Sequence, residues 1–222
     1  NQTSTFAFTG GNFSPSINGQ VFPMNEAITV KKNQQLTIGP ALWGFRGYLA
    51  VKGQLDCEYV YESHATNFQS KFGGYHGRIL RKDDMLQVKK TLIKVSPLKM
   101  LSPRLSDQVS CHTIRLCCGP EIGLLSKAHL TQFSDHQFKV SNQSNRMGYR
   151  LSGDWTDSPL DLNTIISSGN VRGVVQLPPS LTPIILLNDA GTTGGYPRIG
   201  VCENPDLIAQ IKPGDKIRFQ WI

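Results

Sequence analysis

The sequence predicts a mainly β protein made of two related halves, and three observations carry that expectation. Short apolar runs alternate with Gly- and Pro-rich punctuation along the chain, the pattern of many short strands in sandwich or barrel architectures. Few stretches keep a helical period beyond two turns. A Gly-Gly-Tyr segment also occurs twice: Phe72-Gly73-Gly74-Tyr75-His76-Gly77-Arg78-Ile79 lines up with Thr193-Gly194-Gly195-Tyr196-Pro197-Arg198-Ile199, with one inserted residue. Its neighbours repeat in the same order. Gly47-Tyr48 before Gly53 parallels Gly148-Tyr149 before Gly153, and residues 80–86 parallel 211–217. Two copies are too few for a solenoid, so the reading is a tandem pair of similar units.

The elements follow in order. Strands are expected over residues 26–30, 35–38, 48–51 and 85–88 in the first half. The second half has strands over 113–117, 171–177, 183–187 and 216–221, with short helices over 128–133 and 206–210. The expected boundaries are 1–96 for the first half, 97–110 for a Pro-flanked connection and 111–222 for the second half. A chain of 222 residues has the length to bury a sizeable core.

The net charge of +7 is concentrated in one place. Eight basic residues between Arg78 and Arg104 face only Asp83 and Asp84, and no aromatic residue lies among them. Binders of single-stranded nucleic acid add aromatic stacking platforms to such a stretch. The expectation is therefore no nucleic-acid partner, and a solvated connection or a patch facing an acidic partner protein instead. Five cysteines, an odd number with Cys117 and Cys118 adjacent, do not form a secreted disulfide framework. With no signal-peptide pattern and no apolar run of membrane length, the sequence reads as cytoplasmic, with no membrane contact. Cys111, His112, Cys117 and Cys118 match no zinc spacing. No metal site is expected, and the thiols read as small packing groups on a strand.

Candidate chemistry gathers in three places. The segment Asn188-Asp189-Ala190-Gly191-Thr192-Thr193-Gly194-Gly195-Tyr196-Pro197-Arg198 follows the buried-strand run 183–187. It is either a loop presenting an acid, two hydroxyls and accessible backbone amides, or a tight turn with internal hydrogen bonds. The cluster Ser144-Asn145-Arg146-Met147-Gly148-Tyr149-Arg150 places Arg146 and Arg150 on one face if it is a strand. A guanidinium there binds an anionic substrate bidentately, or pairs with Asp154 or Asp189. Gln176 breaks an apolar strand, and its amide must be hydrogen-bonded if buried. The sequence has no Gly-x-Ser-x-Gly elbow, no His-Glu-x-x-His and no Gly-x4-Gly-Lys-Ser/Thr phosphate loop.

These motifs resemble the allophanate hydrolase subunit 2 family. The resemblance rests on Ser144-Asn145-Arg146-Met147-Gly148-Tyr149-Arg150-Leu151, Gly173-x-x-Gln176-x-Pro178, and Asp189-x-x-Thr192-Thr193-Gly194-Gly195-Tyr196-Pro197. Gly10-Gly11, Ser63-x-x-Thr66 and Phe72-Gly73-Gly74 match the family's first half, so the likeness runs nearly end to end. The family includes the C-type subunit of bacterial 5-oxoprolinase, the antagonist of the sporulation-kinase inhibitor, and the carboxyltransferase region of urea carboxylase. It implies two cyclophilin-like β-barrels. Three departures stand out: Gly191 where the family has Gln, Glu62-Ser63-His64-Ala65-Thr66 for Gly-Ser-x-Ser-Thr, and Leu181-Thr182 for Gly-Gln. The family also begins with a further segment before Gly10-Gly11, which is not among these residues; either these residues are a piece of a longer chain or the chain is a shortened, divergent member.

The function implied is a subunit of an ATP-dependent 5-oxoprolinase, a hydrolase that opens the lactam of 5-oxoproline to glutamate. ATP would be held with or by a partner. Two partners are implied, a barrel protein like allophanate hydrolase subunit 1 and a protein like the A-type subunit of 5-oxoprolinase. Asp189, Thr192 and Thr193 are the implied catalytic residues. Asn145, Arg146, Tyr149, Gln176, Gly194, Gly195, Tyr196 and Arg198 would bind substrate, with Ser63, Thr66, Gly73 and Gly74 a first-half counterpart. The alternatives are a biotin-dependent carboxyltransferase of the urea type, its biotin carried on another protein, and a non-catalytic binder of a kinase inhibitor.

Overall fold

The computed structural model describes residues 3–89, 111–160 and 162–222. Within them the chain divides into two compact units. The first takes in the chain up to Thr9, then Phe13–Pro40, then the chain from Gly47 onward. The second gathers Gly10–Asn12, Ala41–Arg46 and the C-terminal half. The expected 97–110 connection lies outside the described residues.

The first unit is built from small sheets. Strands β1 (Ser4–Asn12), β4 (Ile28–Val30) and β6 (Trp43–Val51) form one, in the order β4-β1-β6. A second joins β2 (Ser16–Ile17), β3 (Gln20–Val21) and β5 (Leu36–Thr37), and β7 (Gln54–Leu55) pairs with β8 (Val88–Lys89). The expected strands at 26–30, 35–38 and 48–51 fall on β4, β5 and β6. Phe8, Phe22 and Val30 are its buried apolar side chains among the described residues. Tyr48, Tyr59, Tyr61, Phe68, Ile79 and Met85 stay exposed.

The second unit is a closed seven-stranded barrel. Its strands are β9 (His112–Cys118), β10 (Phe138–Val140), β11 (Gly148–Ser152), β13 (Val174–Gln176), β14 (Ile184–Leu186), β16 (Arg198–Cys202) and β17 (Lys216–Trp221). They run in the order β10-β11-β14-β13-β16-β9-β17. All neighbours are antiparallel except β9 and β17, which pair in parallel from Ile217–His112 to Trp221–Leu116. Closure leaves no sheet edge to template aggregation.

Period-2 alternation explains the filling. On β9 Ile114 and Leu116 are buried, while Thr113, Arg115 and Cys117 face out. Cys117 and Cys118 are therefore exposed, and only Cys202 is a buried thiol, so the packing role expected for the β9 cysteines is corrected. Burial pushes the Cys202 thiol up to about 12. Helix α1 (Lys127–Asp135) starts at Ser126, whose hydroxyl accepts from the His129 N–H in a capping box. It sends Phe133 into the core, stacked on Phe219 at 5.0 Å and edge-on to Trp155 at 5.1 Å. Helix α2 (Pro205–Ile208) opens on a proline, which suits a first helical turn.

One short ribbon stands apart from the barrel strands. Strands β12 (Ser168–Gly169) and β15 (Thr193–Gly194) pair antiparallel, Ser168 with Gly194 and Gly169 with Thr193. This ribbon positions the candidate site.

Candidate functional site

The loop after β14 carries most of the candidate residues, and several of them are bonded within the fold while others are exposed. Asp189 lies at its start, half-exposed, with its carboxylate 2.8 Å from Arg146 Nε. The Asp189 N–H also donates to the Arg146 carbonyl at 3.1 Å. Arg146 thus belongs to the turn before β11 and not to the strand. Its expected alignment with Arg150 on one strand face is corrected. The cause is Asn145, whose Oδ1 accepts from the Met147 N–H at 2.8 Å and makes a local turn. Its side-chain oxygen is thereby committed to backbone.

Tyr149 is a core residue. It is fully buried, donates its hydroxyl hydrogen to the Ile211 carbonyl at 2.8 Å, and accepts from Arg46 Nη1 at 2.7 Å. Arg46 also donates to the Ala209 carbonyl. Burial pushes the phenol above its ordinary range, with Arg46 opposing.

Arg198 is likewise committed. Its Nε and Nη2 bind the two oxygens of Glu121 at 2.9 and 2.7 Å, its backbone N–H donates to the same carboxylate, and Nη1 reaches the Gly169 carbonyl at 2.8 Å. The fork–fork geometry holds the Glu121 carboxyl below the usual range. Arg198 ties the end of the loop to the segment after β9. Sequence reasoning missed Glu121 because it lies far away in the chain and no local pattern marks it.

The remaining residues stay available. Gln176 is 5 % exposed and sits at a register irregularity between β13 and β16. Bulges of this kind re-aim side chains beside functional sites. Its Nε2 donates to Asn170 Oδ1 at 3.2 Å, so the demand that a buried amide be bonded is met by a residue the sequence reading did not single out. Thr192, Thr193 and Tyr196 are exposed. The Asn170 N–H donates to the Thr192 carbonyl at 2.8 Å. Alternation of hydrogen-bonded pairs along the ribbon then makes Ser168–Gly194 a bonded pair. The Gly194 N–H is therefore a ladder donor.

In the first unit, Thr66 Oγ1 accepts from the Tyr75 N–H at 2.9 Å and Ser63 Oγ accepts from the Ala65 N–H at 3.0 Å. Gly73 and Gly74 are buried with φ of +69° and +55°, a left-handed conformation that favours glycine. These four residues close turns. The same unit has a cleft of about 500 Å3 lined by Phe6, Val51, Met85, Leu86 and Val88 with Ser4 and Gln87. It is apolar, and none of the candidate residues lines it.

Residues 1–221 match the family described as carboxyltransferase domain, subdomain A and B. The chain belongs to that family. This carboxyltransferase-domain chain is 35 % identical to the C-type subunit of 5-oxoprolinase from Escherichia coli over 219 residues, covering 96 % of this chain and 68 % of that protein. It is 28 % identical to urea amidolyase of Lachancea kluyveri over 236 residues, covering 96 % of this chain but 13 % of the relative. The structure of Kluyveromyces lactis urea carboxylase superposes with a TM-score of 0.84 at 27 % identity, covering 98 % of this chain and 21 % of that one. The mainly β expectation and the family resemblance both stand. Among the described residues no helix is long and apolar enough to cross a membrane, and no group of His, Cys, Asp and Glu has the arrangement to hold a metal ion.

Proposed function

We propose that this chain is a subunit of an ATP-dependent 5-oxoprolinase, contributing amide recognition to the opening of 5-oxoproline to glutamate. The observation that carries the reading is the 35 % identity to a C-type 5-oxoprolinase subunit, across 96 % of the chain. A lactam resists water because nitrogen donates its lone pair into the carbonyl, so activation and positioning must both be supplied. Among the described residues, those around this loop do not make a polyphosphate cradle. Arg198 is committed to Glu121, Arg172 is paired with Asp206 at 2.7 Å, and the Gly194 amide is in a ladder. In this reading ATP is held with or by a partner protein.

In this reading Arg146 binds the substrate carboxylate while Asp189, through its 2.8 Å contact to Nε, sets the plane of the guanidinium. Gln176 meets the amide edge, and the Gly195 N–H faces charge developing on the carbonyl oxygen. Thr192 and Thr193 offer hydroxyls at the mouth, and Tyr196 forms a wall. The partners are a barrel protein like allophanate hydrolase subunit 1 and a protein like the A-type subunit of 5-oxoprolinase, acting in the cytoplasm. The test is ATP-dependent glutamate release from 5-oxoproline by this chain mixed with both. Release that requires this chain supports the reading, and unchanged turnover in Asp189→Ala removes the role given to Asp189.

A second reading is favoured by the family description and by the 28 % identity to a urea amidolyase. Here the same site would take a urea-like amide and receive a carboxyl group from biotin carried on another protein. Inhibition by avidin, together with no glutamate release, would select it.

A further inference from the structure

The loop after β14 rests on two side-chain amides whose orientation is dictated by the backbone. The Gly191 carbonyl is able only to accept a hydrogen bond. Asn170 turns its Nδ2 toward that carbonyl, at 3.3 Å, which leaves its Oδ1 facing Gln176. Gln176 must answer with a donor, and its Nε2 lies 3.2 Å from that oxygen. Asn170 is itself pinned, because its backbone N–H donates to the Thr192 carbonyl at 2.8 Å. The chain of constraints fixes which end of Gln176 turns away from Asn170. It is Oε1, an acceptor, and no residue described donates to it.

The surroundings agree. Ser168 is paired with Gly194 across the ribbon, so its side chain lies on the face that the Gly194 α-hydrogen occupies. A Cβ at Gly194 would stand 2.7 Å from Gln176 Nε2 and 2.8 Å from Asn170 Nδ2, so that same face looks onto the two amides. The Ser168 hydroxyl is buried and has no hydrogen-bond partner. Beside a ribbon glycine whose added Cβ would meet the ends of both amides, Gln176 thus keeps an acceptor to which no described residue donates, and Ser168 keeps a buried hydroxyl without a partner. Buried polar groups in folded proteins are nearly always bonded, and an amide, with N–H and C=O on adjacent atoms, supplies both complements.

We propose that Asn170 is a positioning residue that locks Gln176 with Oε1 outward, making this subsite selective for a substrate with an amide N–H over one with an acceptor in its place. This rests on the reading of Gln176 as a wall of the amide site. Freed from Asn170, the Gln176 amide can rotate and offer its NH2 group instead, and the preference disappears.

The experiment has two arms. In the assembled complex, binding of 5-oxoproline is compared with that of its ring-oxygen lactone analogue. Wild type is expected to prefer the lactam by at least about tenfold, as sites built to bond an N–H do. Asn170→Ala should bring the two within about twofold, acting on KM more than on kcat. Asn170→Asp keeps an acceptor for Gln176 Nε2 and should retain most of the preference. Asn170→Ala with wild-type discrimination overturns the proposal. The second arm needs no activity: in the 15N-labelled full chain, hydrogen exchange at the Gln176 side-chain NH2 should be slowed in wild type and Asn170→Asp and fast in Asn170→Ala. Exchange indifferent to Asn170 overturns the relay. If wild type binds neither compound while exchange follows Asn170, the relay stands and the oxoprolinase reading falls.

Discussion

The two Gly-Gly-Tyr segments share a sequence and differ in physics. Around Gly73 and Gly74 both glycines are buried with positive φ, and a Cβ on Gly74 would fall 2.2–2.8 Å from the hydroxyl and backbone of Thr66. Around Gly194 and Gly195 the chain is extended and half-exposed, and a Cβ on Gly194 would strike the ends of two side-chain amides. In the first unit the glycines let the backbone close on itself. In the second, Gly194 lets two side-chain amides approach the backbone closely. Both segments end in an arginine clamped by an acid, Arg78 by Asp84 at 2.7 Å and Arg198 by Glu121 at 2.7 Å. The clamp is the shared structural device, and the loop between glycines and clamp is where the units diverge.

That contrast can be broken most forcefully at Gln176. Gln176→Ala should lower turnover by the reconstituted complex on the order of 100-fold, the scale of removing one preorganised polar group, while the subunits still assemble. A change under twofold would place the site elsewhere. Gly74→Ala should act on stability instead, by about 2–3 kcal/mol from left-handed backbone strain and the clash with Thr66. Urea unfolding measures it, and a loss below about 0.5 kcal/mol would contradict the closed-turn account.

Smaller effects follow at the clamps. Arg198→Lys removes the bidentate geometry at a partly buried site and should reduce stability by about 1 kcal/mol, with a discount for solvent screening. The matching carboxyl, Glu121, is held below its ordinary range mainly by Arg198. Its folded-state proton affinity is lower than in the unfolded chain, so its contribution is present above the unfolded pKa and fades as pH falls through the folded one. Glu121→Gln should flatten the stability profile below about pH 4.5.

The mildest test is His136. Burial lowers its pKa from 6.5, and its Nε2 has no hydrogen-bond partner. The unfolded chain takes up the proton first, so stability should decline as pH drops below about 6.5 and level off once the folded form also protonates. His136→Gln should remove that slope. An unchanged slope would assign it to other groups.

What the sequence made legible were features written locally. The alternation at 113–117 became β9 because burial on that barrel strand follows period 2, and the apolar run at 183–187 became the largely buried β14. The helix at 128–133 appeared with one more turn because Ser126 caps it. What escaped were pairings between distant residues. Glu121 meets Arg198 and Asn170 meets Gln176 only after the barrel closes. Arg146 looked like a strand residue because the Asn145 turn that removes it is a side-chain effect. Tyr149 sat inside a recognisable motif, yet its hydroxyl is directed to Ile211.

The most direct measurement is ATP-dependent glutamate release by the reconstituted complex carrying Gln176→Ala or Ser63→Ala, each checked for assembly. The account predicts loss on the order of 100-fold for the first and turnover within about twofold of wild type for the second, since Ser63 Oγ serves only a local turn. Full activity in Gln176→Ala with loss in Ser63→Ala would move the site to the first unit and contradict the account.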